Sequence, residues 1–180
     1  NFGLFFADSG QIIAPDYTAL VKSYGTADSL LVAKKEKFGI IDLNGKPVTG
    51  FKFDKVNFWS DTVALVQDEE KWKLYNFASN YYLQESFDDF EYLKKNDGEI
   101  VIKTYRSSGY GVLSSQYGRI IPEEYSNIVN LGSGGQPLYL VERDVAQAGL
   151  HILLYIDKKG VVLRQQVLNE AEYQHMNCLD

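Results

Sequence analysis

The chain has 180 residues, 45% of them hydrophobic, and a net charge of −6, which fits one globular domain and excludes wholesale disorder. Its 18 Lys and Arg residues are scattered, so the sequence offers no basic patch for a phosphate backbone and we expect no nucleic-acid partner. No run approaches 18 apolar residues, so we expect no transmembrane segment. The aromatic content of 14% favours strands.

The two ends of the chain say little about its compartment. Cys178 is the single cysteine and cannot form an internal disulfide, so the sequence does not fix the redox environment. The chain begins at Asn1 rather than Met, which we interpret as a removed leader or a start inside a longer sequence. The localisation is therefore unknown from the residues themselves.

A repeated strand-turn-strand pattern organises the chain from its beginning. Its five copies start at Phe2, Phe38, Trp72, Tyr110 and Ile152. The turn residues are Gly10, Gly45, Asn80, Gly118 and Gly160, at spacings of 35, 35, 38 and 42 residues. Because Gly and Asn adopt positive φ most easily, we expect a left-handed backbone at all five turns.

The first four copies continue past their turns with the same features. A short second strand follows the turn, and an aromatic residue lies seven or eight residues beyond it: Tyr17, Phe53, Phe87 and Tyr125. An apolar residue comes three positions later, at Leu20, Val56, Phe90 and Ile128. Strand-rich runs starting at Leu30, Val63, Ile100 and Leu138 then lead through short polar turns into the next copy. The pattern predicts hairpins both within and between copies.

Local signals add detail to this pattern. Asn44-Gly45 between apolar residues predicts a type I′ hairpin turn. Residues 169–175 are the one segment with helical signals, and we expect a short terminal helix there. In the fifth copy Val167 replaces the aromatic residue and Glu170 replaces the apolar one, which is typical of a C-terminal cap.

These elements predict an all-β fold made of tandem repeats, each an antiparallel β-meander. The repeats span residues 1–36, 37–70, 71–108, 109–150 and 151–180 of a single repeat domain. A unit this short lies below the ~40 residues that usually fold alone, so the repeats must stack on one another. We favour an open twisted array, because only four clear third strands are present; a five-bladed β-propeller is the alternative.

The order aromatic-Gly, strand, turn, strand, aromatic-Asp resembles the WG-repeat family of bacterial proteins over nearly the whole chain. The aromatic-Gly pair is Phe2-Gly3, Phe38-Gly39 and Tyr110-Gly111, and the aromatic-Asp pair is Phe53-Asp54 and Phe87-Asp88. Trp72-Lys73 and Ile152-Leu153 depart from the first pair, and no copy has a literal Trp-Gly. The resemblance implies a repeat scaffold, often exported or envelope-associated, with no catalytic residue to carry over.

Catalytic and metal-binding patterns are missing from the sequence. The histidines, His151 and His175, accompany no nucleophile elbow, and we expect His151 to be a half-exposed histidine at a strand edge. The carboxylates of 88–91 could suit a hard cation, but repeat position explains Asp88 better as a turn residue. The segment 131–137 lacks the Lys of a phosphate loop and is interpreted as an insertion. We predict no catalytic residue, no metal site and no cofactor.

Aromatic residues outside the repeat positions are the remaining candidates for binding. They are Trp59, Tyr81, Tyr82, Tyr92 and Tyr105. Exposed aromatic rings stack on sugars or anchor a protein partner, although packing between strands is the alternative at each position. Trp59 is the strongest candidate, since it follows a polar-flanked connection and precedes Ser60-Asp61.

Three functions follow as hypotheses. The first is a non-catalytic binding or interaction module for a protein or glycan partner, in which repeated weak contacts add up. The second is a structural spacer within a larger repeat protein, which predicts an exposed apolar face at the first repeat. The third is a hydrolase acting on glycans, which requires two carboxylates facing each other in a deep pocket.

Overall fold

The structure is a computed structural model that describes residues 1–8, 10–22, 30–83, 86–96, 98–133 and 136–177. Within these ranges the chain is all-β, with antiparallel sheets and one short α-helix. The chain divides into two compact bodies, an N-terminal body of Asn1–Asp88 and a C-terminal body of Asp89–Asp180. Cys178 and residues 134–135 of the segment 131–137 lie outside the described residues.

The N-terminal body contains three antiparallel sheets that follow one another along the chain. The first pairs β1 (Phe2–Phe6) with β2 (Gln11–Tyr17). The second has the order β3 (Ala19–Lys22), β4 (Leu30–Lys34), β5 (Phe38–Asp42). The third has the order β6 (Lys55–Phe58), β7 (Val63–Asp68), β8 (Lys71–Asn76), β9 (Tyr81–Tyr82).

The C-terminal body contains two four-stranded sheets. One has the order β10 (Asp89–Asn96), β11 (Glu99–Arg106), β12 (Gly109–Ser114), β13 (Gly118–Tyr125). The other has the order β14 (Asn127–Asn130), β15 (Leu138–Val145), β16 (Leu150–Asp157), β17 (Val162–Asn169). A 3₁₀ turn at Ala146–Ala148 joins β15 to β16, and helix α1 (Glu170–Asn177) follows β17 where a terminal helix was predicted.

The predicted array of β-meanders is confirmed, including the hairpins that join one repeat to the next. Each strand-rich run pairs with the first strand of the following repeat, as β4 with β5, β7 with β8, β11 with β12, and β15 with β16. Two details differ from the prediction. The apolar residue after the aromatic belongs to a further strand, β3, β6, β10 or β14. In the second repeat, the short second strand expected after the turn is reduced to one bridge at Pro47.

One cross-strand pair recurs in every repeat. The first residue of each strand-turn-strand segment lies opposite the residue 15 positions later: Phe2 with Tyr17, Phe38 with Phe53, Trp72 with Phe87, Tyr110 with Tyr125, and Ile152 with Val167. Phe38 and Phe53 donate their N–H groups to each other's carbonyls at 2.8 and 3.1 Å. This pair fixes the length of the loop that the turn residue must close.

The glycine after the aromatic is explained by a close backbone approach. A Cβ on Gly3 would lie 2.4 Å from the carbonyl oxygen of Ile13, and one on Gly111 would lie 2.7 Å from that of Ile121. The strand register shifts at both glycines, so the chain there needs a residue without a side chain. The fifth repeat has Leu153 at this position, and its register runs on without a shift there.

The turns confirm the expected positive φ at all five turn residues. These are Gly10, Gly45, Asn80, Gly118 and Gly160, with φ between 60° and 88°. The type I′ prediction for Asn44-Gly45 was wrong, because only Gly45 of that pair has positive φ. The Asp42 carboxylate instead accepts the N–H groups of Asn44 and Lys46 at 2.8 Å. Glu69 and Glu70, between β7 and β8, both have positive φ, as the two central residues of a type I′ turn do.

The repeated aromatics lie in the cores of the two bodies. Tyr17, Phe53, Phe87 and Tyr125 are all buried. The residue after each aromatic then ties the chain to a hairpin between repeats. Asp54 and Asp88 pair with Lys37 and Lys71 of the preceding hairpin, while the Thr18 and Ser126 hydroxyls donate to strand carbonyls of the following one. In the fifth repeat Val167 is exposed and Glu170 begins α1, as expected of a cap.

Substituting Gly111 tests the close approach. We expect Gly111→Ala to lower the free energy of unfolding by about 1–3 kcal/mol, because the new methyl group overlaps the Ile121 carbonyl and the Glu123 side chain. Gly50→Ala is the control, since a Cβ there meets nothing within 4 Å. Denaturant unfolding of the two variants measures the difference, and equal stabilities would contradict the role given to the glycine.

Candidate functional site

Trp59 is not a surface residue, which corrects the strongest of the predicted binding candidates. Its side chain is 5% exposed. The chain turns back directly after it, with the Trp59 and Ser60 N–H groups donating to the Val63 carbonyl at 2.9 and 3.0 Å. This reversal folds the large indole ring into the core, where it contributes packing rather than a contact for a ligand.

The four predicted tyrosines are all exposed at the surface, but they do not form one site. Tyr81 and Tyr82 lie on β9 of the N-terminal body, whereas Tyr92 and Tyr105 lie on β10 and β11 of the C-terminal body. Their exposed fractions are 50% for Tyr81 and 39–40% for the others. Each body therefore presents two of the rings that the sequence nominated.

Tyr82 is held by neighbours within its own sheet. Its hydroxyl donates to Asp68 Oδ2 at 2.9 Å, and its ring lies 5.1 Å from that of Tyr75. The ammonium group of Lys73 lies 5.2 Å above the Tyr82 ring and 3.5 Å from Asp68. Burial and the hydrogen bond to Asp68 raise the pKa of Tyr82 to about 12. The hydroxyl already has a hydrogen-bond partner and the ring packs on its own sheet, so we assign Tyr82 to the packing of this hairpin and not to ligand binding.

A groove of about 320 Å³ lies in the C-terminal body on strands β10, β11 and β12. Its lining residues are Asp89, Phe90, Glu91, Lys103, Tyr105 and Tyr110. The strand register brings all of them except Phe90 together, because Asp89 and Tyr110 both lie directly opposite Tyr105, and Glu91 lies opposite Lys103. The volume is at the lower end of the roughly 300–1,000 Å³ that is typical of ligand sites.

Aromatic rings and carboxylates share this groove. The Tyr105 and Tyr110 rings lie 5.2 Å apart at 45°, and Tyr105 is 40% exposed. The Lys103 ammonium group lies 4.5 Å above the Tyr110 ring and donates to the Ile128 carbonyl at 3.1 Å. Lys103 is therefore turned away from Glu91, its neighbour across the strands. The groove can supply ring faces, two carboxylates and hydroxyl groups to a ligand.

Tyr92 belongs to the opposite face of β10, since successive side chains of a strand alternate. Its ring meets that of Phe90 edge-on at 5.2 Å, and burial raises the pKa of its hydroxyl. Of the five predicted binding residues, Tyr105 is thus the one that the structure places in the groove. Asp89 and Glu91 also drew notice in the sequence, but as candidate cation ligands. Asp89 and Glu91 are two residues apart, and this spacing in a strand was the sequence signal that they share one face.

His151 has more partners than the sequence suggested. The residue lies inside β16, between β15 and β17, rather than at a strand edge. Its Nδ1 lies 2.8 Å from Asp144 Oδ1, and its Nε2 lies 2.8 Å from Glu170 Oε2. Its ring stacks on that of Tyr173 at 4.0 Å. Because Glu170 and Tyr173 belong to α1, His151 holds the terminal helix on the sheet.

No helix in the described ranges is long and apolar enough to cross a membrane. In the same ranges, no three His, Cys, Asp or Glu side chains are arranged to hold a metal ion. The Asp88 carboxylate, which the sequence assigned to a turn, pairs with Lys71.

Comparison with known proteins gives weak likenesses only. No protein-family profile matches the sequence, and no curated protein matches it. Among solved structures, the chain is similar to Kluyveromyces lactis Hsv2p, at 10% identity and a TM-score of 0.36 over 82% of this chain and 63% of that chain. It is also similar to a chain in the complex of the fission yeast SREBP-SCAP binding domains, at 11% identity and a TM-score of 0.35. That match covers 86% of this chain and 49% of the other. The chain thus spans less than two thirds of either structure.

The contacts of His151 predict a pH dependence. Hydrogen bonds to Glu170 and Asp144 raise the pKa of His151 above 6.5, and the bond from His151 lowers that of Glu170 below 4.5. The His151 contribution is complete below pH 6.5 and is lost as the pH rises through the raised pKa. The Glu170 contribution is present above pH 4.5 and is lost as the pH falls through the lowered pKa.

Thermal unfolding of the wild-type chain and His151→Phe at several pH values tests this. Phenylalanine keeps a ring against Tyr173 but does not titrate, so we expect the stability advantage of the wild type to be largest between pH 4.5 and 6.5 and to shrink above this range. His175→Phe, on the exposed side of α1, is the control. Parallel pH profiles for the wild type and His151→Phe would contradict the assignment.

Proposed function

We propose that this chain is a non-catalytic binding module and that the groove on β10, β11 and β12 is its ligand site. The observation that carries the proposal is the exposed Tyr105 ring, which lies in a groove with the carboxylates of Asp89 and Glu91. Rigid aromatic rings supply contact area at little entropic cost, and nearby polar groups give orientation. The partner is a protein or a glycan.

The position of the two carboxylates favours binding over glycoside hydrolysis. Asp89 and Glu91 are two residues apart on one strand, so they lie side by side on the same wall of the groove. Glycoside hydrolysis uses carboxyl groups that flank the scissile bond from two sides. The wall opposite β10 presents Tyr105 and Tyr110 rather than a second acid.

The same proposal includes the protein family and the cellular location. The order of features that resembles WG repeats supports a bacterial repeat scaffold of that kind, exported or associated with the cell envelope. The recurring cross-strand pair, 15 residues apart in each copy, is the structural feature in keeping with such a repeat.

A second candidate function is a spacer that packs against a further repeat. It is favoured by three exposed apolar side chains on the first sheet, where Phe2, Phe5 and Ile12 are 61%, 66% and 70% exposed. Phe5 lies directly opposite Ile12 in the β1–β2 pair, so at least two of these side chains are adjacent. An apolar neighbour would cover them.

Screening the chain against a glycan panel and a library of short peptides tests the binding function. We expect a ligand whose affinity falls by roughly 5–100-fold in Tyr105→Ala, because loss of an aromatic anchor typically costs about 1–3 kcal/mol. Tyr117→Ala is the matched control, since Tyr117 is equally exposed and lies in the same body but outside the groove. Equal binding by both variants, or no ligand in either panel, would shift the assignment to the spacer.

A further inference from the structure

We propose that the groove recognises cationic side chains, arginine or lysine, presented by an extended basic peptide. This inference rests on the proposed binding function and names the ligand class of the same site. It depends on the charges in the groove, the distribution of lysines over aromatic rings, and the place of β10 in its sheet.

The carboxylates of the groove have no cationic partner in the part of the chain that the structure describes. Asp89 Oδ1 accepts the N–H of Phe90 at 2.9 Å, and neither Asp89 nor Glu91 forms an ion pair with a described side chain. Lys103 lies directly across from Glu91, but its ammonium group bonds the Ile128 carbonyl. Two exposed negative charges therefore remain for a ligand, and a charged hydrogen bond to each favours a cation.

The Tyr105 ring is also available to a cation. Aromatic residues elsewhere in the repeats carry a lysine of the chain itself, as Lys35 does over Tyr17, Lys55 over Trp72 and Lys103 over Tyr110. No such cation lies over Tyr105 among the described residues, although the ring is 40% exposed and lies directly opposite Asp89. A guanidinium group stacked there would gain both the ring face and the carboxylate.

These residues depart from the repeat, so the scaffold does not explain them. The pair formed by Asp89 and Tyr105 corresponds in the other repeats to Ala19–Lys34, Lys55–Gln67 and Asn127–Glu142. The position of Glu91 is held there by Val21, Asn57 and Val129. An acid at both positions beside an exposed tyrosine thus occurs in one repeat, which fits a role outside the fold itself.

Strand β10 is placed to receive an extended peptide. It lies at the edge of its sheet, and β11 is its one partner among the described strands. A peptide added along such an edge forms main-chain hydrogen bonds and directs every second side chain to the same face. Asp89 and Glu91 have that spacing as well. The other explanation for the charges is protection of the edge against self-association.

The test uses a labelled peptide with arginine at alternate positions in a threonine background, and a second peptide with citrulline in place of arginine. Citrulline keeps the shape of arginine but has no charge. Fluorescence anisotropy measures binding of both to the wild-type chain and to the isosteric double variant Asp89→Asn, Glu91→Gln. The matched control is Glu69→Gln, Glu70→Gln, at the exposed β7–β8 turn of the other body.

The proposal predicts that the arginine peptide binds, and that citrulline or the groove double variant each weaken binding by roughly tenfold or more. The Glu69, Glu70 variant binds as the wild type does. Equal binding of both peptides, or an unaffected double variant, would overturn the proposal.

Two further results separate this inference from the proposed function. A glycan that binds through Tyr105, with no peptide bound, would overturn the cationic ligand but leave the binding module intact. No ligand of either kind, together with self-association of the double variant in sedimentation, would overturn both and assign the acids to edge protection.

Discussion

The fold depends on one constraint, the cross-strand pair that joins two positions 15 residues apart in every repeat. Phe38 with Phe53 and Trp72 with Phe87 exchange both backbone hydrogen bonds at these points. With the pair fixed, the intervening segment must reverse within a short length, so its turn residue needs positive φ. The shift in register beside the pair then requires a glycine at Gly3 and Gly111. The order of features that recurs along the sequence thus has a single geometrical cause.

The sequence was informative wherever a feature recurred. The turns were predicted by the residues with positive φ: Gly10, Gly45, Asn80, Gly118 and Gly160. The strand-rich runs predicted the hairpins between repeats. Both signals recur because the same backbone conformation recurs in each repeat. The sequence failed where tertiary context decides. Asn44-Gly45 has the residues of a type I′ turn, but the Asp42 carboxylate accepts the N–H groups of Asn44 and Lys46 and stabilises a turn of another type. Trp59 lies just before a chain reversal and is buried in the core.

The candidate site was only partly predictable for the same reason. Tyr105 was nominated as an aromatic outside the repeat positions, and it does line the groove. Its partners Asp89 and Glu91 were visible as acids, yet their meeting with Tyr105 and Tyr110 depends on strand register, which the sequence did not fix between β10 and β11. His151 is similar, since its second carboxylate, Glu170, lies 19 residues further along the chain. A regular scaffold with irregular residues in one place is what a binding module needs.

Native-state amide hydrogen exchange tests the central claim most directly. If the recurring pair holds each repeat together, the amides of Phe38, Phe53, Trp72 and Phe87 belong to the slowest-exchanging group of the N-terminal body. The amides of the exposed turn at Glu69 and Glu70 provide the fast reference. Exchange at the paired positions as fast as at that turn would contradict the account.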